Sequence, residues 1–335
     1  MGEFTEPEFA DAELIATLAA VGRRIVGEQK PDVAVVLSAR HDRLLVRYGD
    51  AVLKAHAPGS DPAELALRLR LAADPRLTDS LLAPLPIPGA DAPGMLIRVR
   101  GRLVSAWPVG TPLHPDDFGT VSETAVDDLP WEQAATLLAR LHAVPLWRPV
   151  PPARVRRGLE RAMAKLSGLS GPAGDDPLVG EILAAYAALP RGEPDGCTQA
   201  GRACTPYTPV PGDALVHGDW HLGQLLRLDD RGLRIIDVDD LGAGDPIWDL
   251  ARPAAWYAAG VLAPAAWARF LGGYTAAGGR AVPPDADPWQ VLDTPARALA
   301  VAYAANAVAD SVLTGTPLDS VARAFVDCCR RMRRL

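Results

Sequence analysis

His217, Asp219, His221, Gln224, Asp237, Asp239, Asp240, Asp245 and Asp249 fall in one stretch, LVHGDWHLGQLLRLDDRGLRIIDVDDLGAGDPIWDL, from Leu215 to Leu250. Short apolar runs separate them, so ionisable groups stand where a chain normally buries strands, at a cost in free energy unless they bind something. Ala214-Leu215-Val216 predicts a strand entering His217-Gly218-Asp219, and Leu225-Leu226 and residues 233–236 predict a hairpin turning at Asp229-Asp230-Arg231-Gly232. Asp219 then precedes the first arm, Gln224 sits at the hairpin's mouth, and Asp237 follows the second arm. One carboxylate stands where a hydroxyl nucleophile can be oriented, while an amide oxygen and a second carboxylate converge as hard ligands suited to Mg²⁺. Phosphoryl transfer has those two needs: positioning, and positive charge against the phosphates.

The elements that must hold such a centre are legible upstream. Leu14, Leu18, Val21 and Ile25 share one face of an amphipathic helix over residues 10–25. Three strand-like runs follow at 33–37, 44–48 and 51–55, joined by Ser38-Ala39-Arg40-His41-Asp42 and by Gly49-Asp50, which predicts a meander. Lys54 lies in the third run between apolar neighbours. It is either an outward-facing strand lysine or a half-buried cation in want of an anionic partner such as a nucleotide phosphate. A helix begins at Asp61-Pro62-Ala63-Glu64 and runs to about Ala73. Glu64 reads two ways: as the helix glutamate that holds a strand lysine in protein kinases, or as the N3 member of a capping box behind Asp61 and Pro62.

Residues 96–107 predict two more strands around Arg100-Gly101, and Trp107-Pro108-Val109-Gly110 then breaks the pattern as a hinge between lobes would. Backbone at Trp107 and Val109 could there hydrogen-bond an adenine. No G-x-G-x-x-G motif covers the phosphates, so residues 38–42 must serve in its place. From Thr111 onward helices dominate: 131–144, with His142 packed at its end, then 155–166 and 177–189, and after the centre 253–259, 264–276, 289–313 and 318–334. Residues 191–213, rich in Gly, Pro and Thr, predict a long surface loop that is either a lid or disordered.

His217-Gly218-Asp219, Gln224 five residues later, Ile236-Asp237, and Gly244-Asp245-Pro246-Ile247-Trp248-Asp249-Leu250-Ala251 resemble the aminoglycoside phosphotransferase family of protein-kinase-like small-molecule kinases. That family reads H-G-D-x-x-x-x-N, then I-D-[FW]-[GE], then G-D-P-x-x-D-L-A. Lys54, the 107–110 hinge and LARLHAVP also look like family features, so the likeness spans most of the chain. The resemblance implies that Asp219 is the catalytic base or hydroxyl orienter, Asp237 the principal Mg²⁺ ligand, Lys54 the phosphate clamp, Glu64 its partner and His217 a backbone brace. Asp245 and Asp249 would brace the site or cap the next helix. Gln224 departs from the family's asparagine but keeps a hard carbonyl oxygen, and HGDWHLGQLL is also similar to the bacterial maltokinase branch. Asp239, in Asp237-Val238-Asp239-Asp240 where the family has an aromatic then Gly or Glu, is either a second metal contact or a solvent-facing acid.

Two other readings compete. His217, Asp219 and His221 alternate as H-x-D-x-H, which suits Zn²⁺ or Mn²⁺ in a metal-dependent hydrolase, although His41, His56, His114 and His142 offer no comparable cluster. The missing Gly-rich loop and Gln224 instead suit a pseudokinase or nucleotide-binding module, against which both Asp219 and Asp237 are present.

The 335 residues are 49% hydrophobic with a formal charge of −7, enough for a large core and without the basic face a nucleic-acid partner needs. Cys197, Cys204, Cys328 and Cys329 have no zinc-ligand spacing, the N-terminus is acidic, and no apolar run approaches membrane-spanning length. These features predict a cytoplasmic protein without a membrane partner, a monomer or homodimer. The expected fold is α+β and two-lobed, protein-kinase-like, with a small antiparallel-sheet nucleotide-binding lobe at 1–107 and a larger, mainly helical catalytic and substrate-binding lobe at 108–335. The expected activity is Mg²⁺-dependent transfer of the γ-phosphate of ATP or GTP to a hydroxyl of a small polar molecule: an aminoglycoside or other antibiotic, as in resistance enzymes, or an (amino)sugar. Trp220 and Trp248 are candidate faces for a sugar ring, with core packing as the alternative, and Asp240 and Asp293 are candidates for an amino group.

Overall fold

The computed structural model describes residues 12–27, 33–40, 43–90, 94–113, 129–190, 214–229, 232–283 and 285–333. The 191–213 loop, Cys197, Cys204, His41, Asp42 and His114 lie outside the described residues. The described chain forms two compact units, one of residues 1–112 with 226–239, the other of 113–225 with 240–335. The first unit therefore extends past the expected boundary at 107 and takes in most of the hairpin expected in the second.

In the first unit α1 (Ala12–Val26) lays Leu14, Leu18 and Val21 on a five-stranded antiparallel sheet. Its strands are β1 (Val35–Ala39), β2 (Leu44–Tyr48), β3 (Ala51–Ala55), β4 (Ile97–Val99) and β5 (Arg102–Pro108), in the order β1-β2-β3-β5-β4. Helix and sheet approach closely because Gly22 faces Tyr48: a Cβ there would lie 2.7 Å from the tyrosine's own. Leu44, Val46, Ala51, Leu53, Ala55, Val104 and Ala106 complete the core. In β3 the inward Leu53 leaves Lys54 on the opposite face, opposite Ser105 of β5. α2 (Pro62–Ala72) starts where expected: the Asp61 carboxylate accepts from the Ala63 and Glu64 N–H groups at 2.8 and 3.0 Å. β6 (Thr111–Pro112), β8 (Leu225–Leu228) and β9 (Gly232–Ile235) make a three-stranded sheet, and β9 also meets Leu81 through a bridge at Ile235.

The second unit packs α3 (Trp131–Ala143) on α7 (Pro264–Ala276), and sets α4 (Arg157–Ser167), α5 (Pro177–Ala187), α6 (Ile247–Ala259) and α9 (Ser320–Met332) around the long α8 (Trp289–Thr314). Among the described residues no helix is long and apolar enough to cross a membrane. β7 (Ala214–Val216) and β10 (Gly242–Gly244) pair antiparallel and frame the histidine-glycine-aspartate turn. β10 is glycine-rich because the chain at 151–153 presses on it: a Cβ at Gly242 would fall 2.3 Å from the Pro151 carbonyl oxygen.

Candidate functional site

In the first unit Lys54 is buried, 7% exposed, and its Nζ lies 2.7 Å from Asp237 Oδ1 and 2.9 Å from Asp239 Oδ2. Burial alone would lower the Lys54 pKa, but the two carboxylates outweigh it and raise it above its ordinary value. Burial likewise pushes both acids up, and it is overcome: Lys54 holds Asp237 below the carboxylate range, and Lys54 with His56 holds Asp239 well below it. Asp237 has φ 63°, a left-handed backbone that costs an L-residue free energy and tends to mark functional positions. Glu64, expected as the partner of Lys54, accepts instead from Arg68 one turn along α2 at 2.9 Å. The lysine's charge is met by carboxylates at the end of the hairpin, so the capping geometry of Asp61 is what α2's acidic start serves.

His56, two residues beyond Lys54 and so on the same strand face, extends the cluster. Its Nδ1 hydrogen-bonds Asp239 Oδ2 at 3.2 Å, and its Nε2 lies 2.8 Å from Ser105 Oγ, which also receives Trp107 Nε1–H at 2.9 Å. Indole can only donate, so the Ser105 proton is free to point at Nε2, placing the ring proton on Nδ1 toward Asp239. Asp239 Oδ1 is buried and accepts no hydrogen bond of good geometry, although it too lies 3.2 Å from His56 Nδ1. A hard oxygen with lone pairs to spare, beside Asp237, fits a cation. At the expected hinge, Trp107 is buried and committed to Ser105, and the Val109 N–H goes to the Asp50 carbonyl at 3.1 Å. The adenine donor expected at Val109 is thus engaged within the unit.

In the second unit Asp249, 1% exposed, accepts from the His217 and Gly218 N–H groups at 2.7 and 2.9 Å and faces His142 Nε2 at 3.0 Å. His142 Nδ1 lies 2.8 Å from the Tyr274 hydroxyl, whose oxygen accepts from Ala281 N–H at 3.2 Å. Burial raises Asp249, but His142 and His217 prevail and the acid is held below its usual range, while burial raises Tyr274. This carboxylate braces the turn that carries Asp219. Gly218 is required there: φ is 88°, and a Cβ would meet the Asp240 carbonyl oxygen at 2.5 Å. Asp245, just before the Pro246 N-cap of α6, accepts from Ile247 N–H at 2.9 Å.

Replacing Asp249 with alanine leaves those buried donors without their acceptor, so a stability loss of roughly 3 kcal/mol or more is expected from the urea midpoint. Because the folded pKa is depressed, this contribution is full above the unfolded value of about 3.9 and lost as pH falls through the folded one. The wild type should therefore lose stability more steeply than Asp249→Ala below roughly pH 4.

Asp219 itself is paired with Arg252 of α6, whose Nη2 donates to Oδ1, and Arg252 Nη1 donates to the Tyr303 hydroxyl at 3.1 Å. Burial would lower the Arg252 pKa, but Tyr303 and Asp219 raise it. Arg252 was not among the sequence candidates. Gln224 is buried and closes a short 3-10 turn over Leu222–Gln224 that His221 caps by accepting from Gly223 N–H at 3.1 Å. His217 Nδ1 similarly accepts from Asp219 N–H at 3.4 Å. The hydrolase's H-x-D-x-H ligands thus spend ring nitrogens on local backbone, and among the described residues no three His, Cys, Asp or Glu side chains are grouped to hold a metal.

Of the candidate acceptor residues, the two tryptophans take the core-packing alternative and the two acids face arginines. Trp220, 2% exposed, packs on Phe270 at 5.3 Å between ring centroids, and Trp248 is buried as well. Both belong to the core, where indole area is best spent. Asp240 faces Arg157 at 3.0 Å, and Asp293 faces Arg297 at 2.9 Å.

Among solved structures, a choline/ethanolamine kinase family protein from Mesorhizobium loti is similar at 19% identity, covering 96% of this chain and 94% of that one, with a TM-score of 0.52. A spectinomycin phosphotransferase in complex with ADP and spectinomycin is similar at 13% identity over 98% and 100%, TM-score 0.54. The GDP complex of an aminoglycoside 2'-phosphotransferase is similar at 15% over 96% and 98%, TM-score 0.51. At these identities the likeness is one of fold: a mixed structure with a small antiparallel sheet and a helical part, kinase-like as expected. A search of the curated proteins finds no match. The model of the APH phosphotransferase enzyme family matches residues 33–289, and the chain belongs to that family.

Proposed function

We propose that this phosphotransferase moves the γ-phosphate of ATP or GTP to a hydroxyl group of a small polar molecule, such as an antibiotic or a sugar. The observation that carries the reading is the burial of Lys54 against Asp237 and Asp239, with Asp237 in a left-handed backbone and Asp239 Oδ1 accepting no hydrogen bond. A cation clamp beside two hard carboxylates suits a metal-bound triphosphate far better than it suits a solvated strand. The ADP and GDP named for two structures of similar fold support a nucleotide as phosphate donor.

Lys54 would hold the phosphates, and Asp237, Asp239 and Gln224 would hold Mg²⁺, which when bound offsets charge on the triphosphate. Asp219 would orient the acceptor hydroxyl and take its proton. The acceptor oxygen bonds to the γ-phosphorus, the bond from that phosphorus to the β–γ bridging oxygen breaks, and the nucleoside diphosphate leaves with the electron pair. His56 orients Asp239, and Asp249 fixes the turn under Asp219.

The test is Mg²⁺-dependent transfer of labelled γ-phosphate from ATP and GTP across aminoglycosides, macrolides and simple sugars. Labelled product bearing a phosphate monoester supports the reading; nucleotide binding without turnover toward any acceptor or water would favour an inert nucleotide-binding module. Gln224→Asn keeps a carbonyl oxygen and should retain most activity, whereas Gln224→Leu should raise the Mg²⁺ concentration that gives half-maximal rate. Loss of all activity in Gln224→Asn with an unchanged Mg²⁺ requirement would remove Gln224 from the metal set.

A further inference from the structure

Asp219, Asp240 and Asp293, the acids of the second unit suited to receive an ammonium group, each face a guanidinium already: Arg252, Arg157 and Arg297 respectively. The pair at Asp219 is the most firmly built. Arg252 donates from Nη1 to the Tyr303 hydroxyl at 3.1 Å, and its guanidinium carbon sits 5.5 Å from the centroid of that ring. Tyr303 in turn stacks on Phe325 at 4.5 Å and meets the edge of Trp256 at 6.0 Å. The Arg252 side chain is 21% exposed and that of Asp219 35%, so the pair borders solvent while one partner is anchored in the core.

An acceptor hydroxyl within hydrogen-bond reach of Asp219 must come within a few ångströms of this fixed, permanently charged group. A cationic acceptor would meet repulsion there, and could gain the Asp219 carboxylate only by displacing a guanidinium that Tyr303 holds in place. A neutral or anionic acceptor meets no such penalty, and the outer Arg252 protons can donate to its oxygens.

We propose that the acceptor is an uncharged or anionic hydroxyl compound, with no ammonium group near the reacting hydroxyl, and that Arg252 makes this selection. The inference rests on the phosphotransferase reading of Asp219 and narrows its substrate class. Arg252 acts here as a specificity-determining and positioning residue, which sequence spacing around Asp219 does not reveal.

The experiment compares kcat/KM for matched sugars differing only in one substituent, hydroxyl, carboxylate or amine, together with a polycationic aminoglycoside, in wild type, Arg252→Gln and Arg252→Lys. Thermal midpoints report whether each variant is folded. In the wild type the amino compounds should fall at least tenfold below their neutral counterparts. Arg252→Gln should close that gap through the KM of the amino compounds, with the KM for the nucleotide unchanged, and Arg252→Lys should restore it. Higher kcat/KM for the ammonium-bearing acceptors in the wild type would overturn the proposal, and so would an equal gap in wild type and Arg252→Gln. Mg²⁺-dependent nucleotide hydrolysis by water, abolished in Asp219→Asn, keeps the two readings apart. Its absence together with absence of transfer defeats the phosphotransferase assignment itself, while its presence with a preference for amines defeats only the selection by Arg252.

Discussion

Asp219→Asn should lower kcat by roughly 10²–10⁴-fold, the range lost when a positioned proton acceptor is removed, while the dissociation constant for the nucleotide stays at the wild-type value. Asparagine keeps the shape and one hydrogen-bond acceptor for Arg252, so the salt bridge becomes a neutral-acceptor bond without a cavity. The turn itself is held by Asp249 through the His217 and Gly218 amides, which the substitution does not touch. On the proposed role of Asp219, what disappears is the basicity at the acceptor hydroxyl. A loss confined to kcat is the signature of an interaction made as the hydroxyl reacts; a parallel rise in the nucleotide's dissociation constant would mean that the residue supports binding instead. Steady-state kinetics and a fluorescent-nucleotide titration on the same preparation separate these outcomes. Unchanged kcat would remove Asp219 from the reaction.

The hairpin of β8 and β9 is legible because ionisable residues interrupt apolar runs at ordered spacings, and such interruptions are expensive to bury without purpose. Lys54 was ambiguous in sequence because its deciding partner stands 183 positions away. A strand lysine with no local acid has a solvated reading that only tertiary structure removes. His56 carries a readable signal: it stands two residues after Lys54, just past the end of β3, as Ser105 and Trp107 alternate on the neighbouring strand. Glu64 shows the reverse case: its carboxylate is met one turn along the same helix by Arg68, while Lys54 is met by Asp237 and Asp239.

Arg252 has a similar logic on a helix. Asp249 braces residues 217 and 218, and a residue three places on projects from the same face one turn along α6. That residue is Arg252, and the next group along the turn is Asp219. The tryptophans near the centre misled for a different reason. Proximity in sequence says nothing of which face an indole presents, and the core claimed both Trp220 and Trp248. β10 could not be read from propensity at all, since Gly-Ala-Gly is a strand by virtue of its pairing with β7, and its glycines answer to the crowding by residues 151–153.

Asp237→Ala should produce the opposite split from Asp219→Asn. Its carboxylate is bonded to a buried lysine and lies 3.7 Å from Arg43 Nη1, so removal leaves Lys54 with Asp239 alone and strips a hard oxygen from the proposed cation site. Mg²⁺-nucleotide affinity should fall together with kcat/KM, the latter by about 10²–10³-fold or more, as when one preorganised electrostatic group is deleted. The backbone offers an internal control. At φ 63° alanine pays for a left-handed conformation that asparagine tolerates better, so Asp237→Asn should regain stability relative to Asp237→Ala without regaining Mg²⁺-dependent binding. Were both variants to bind Mg²⁺-nucleotide like the wild type, the burial of Lys54 would be explained by its ion pairs alone, and the cation clamp would have to be sought at other residues. If Asp237→Asn instead recovered both stability and binding, the strain of the backbone rather than the charge of the carboxylate would be what the site depends on.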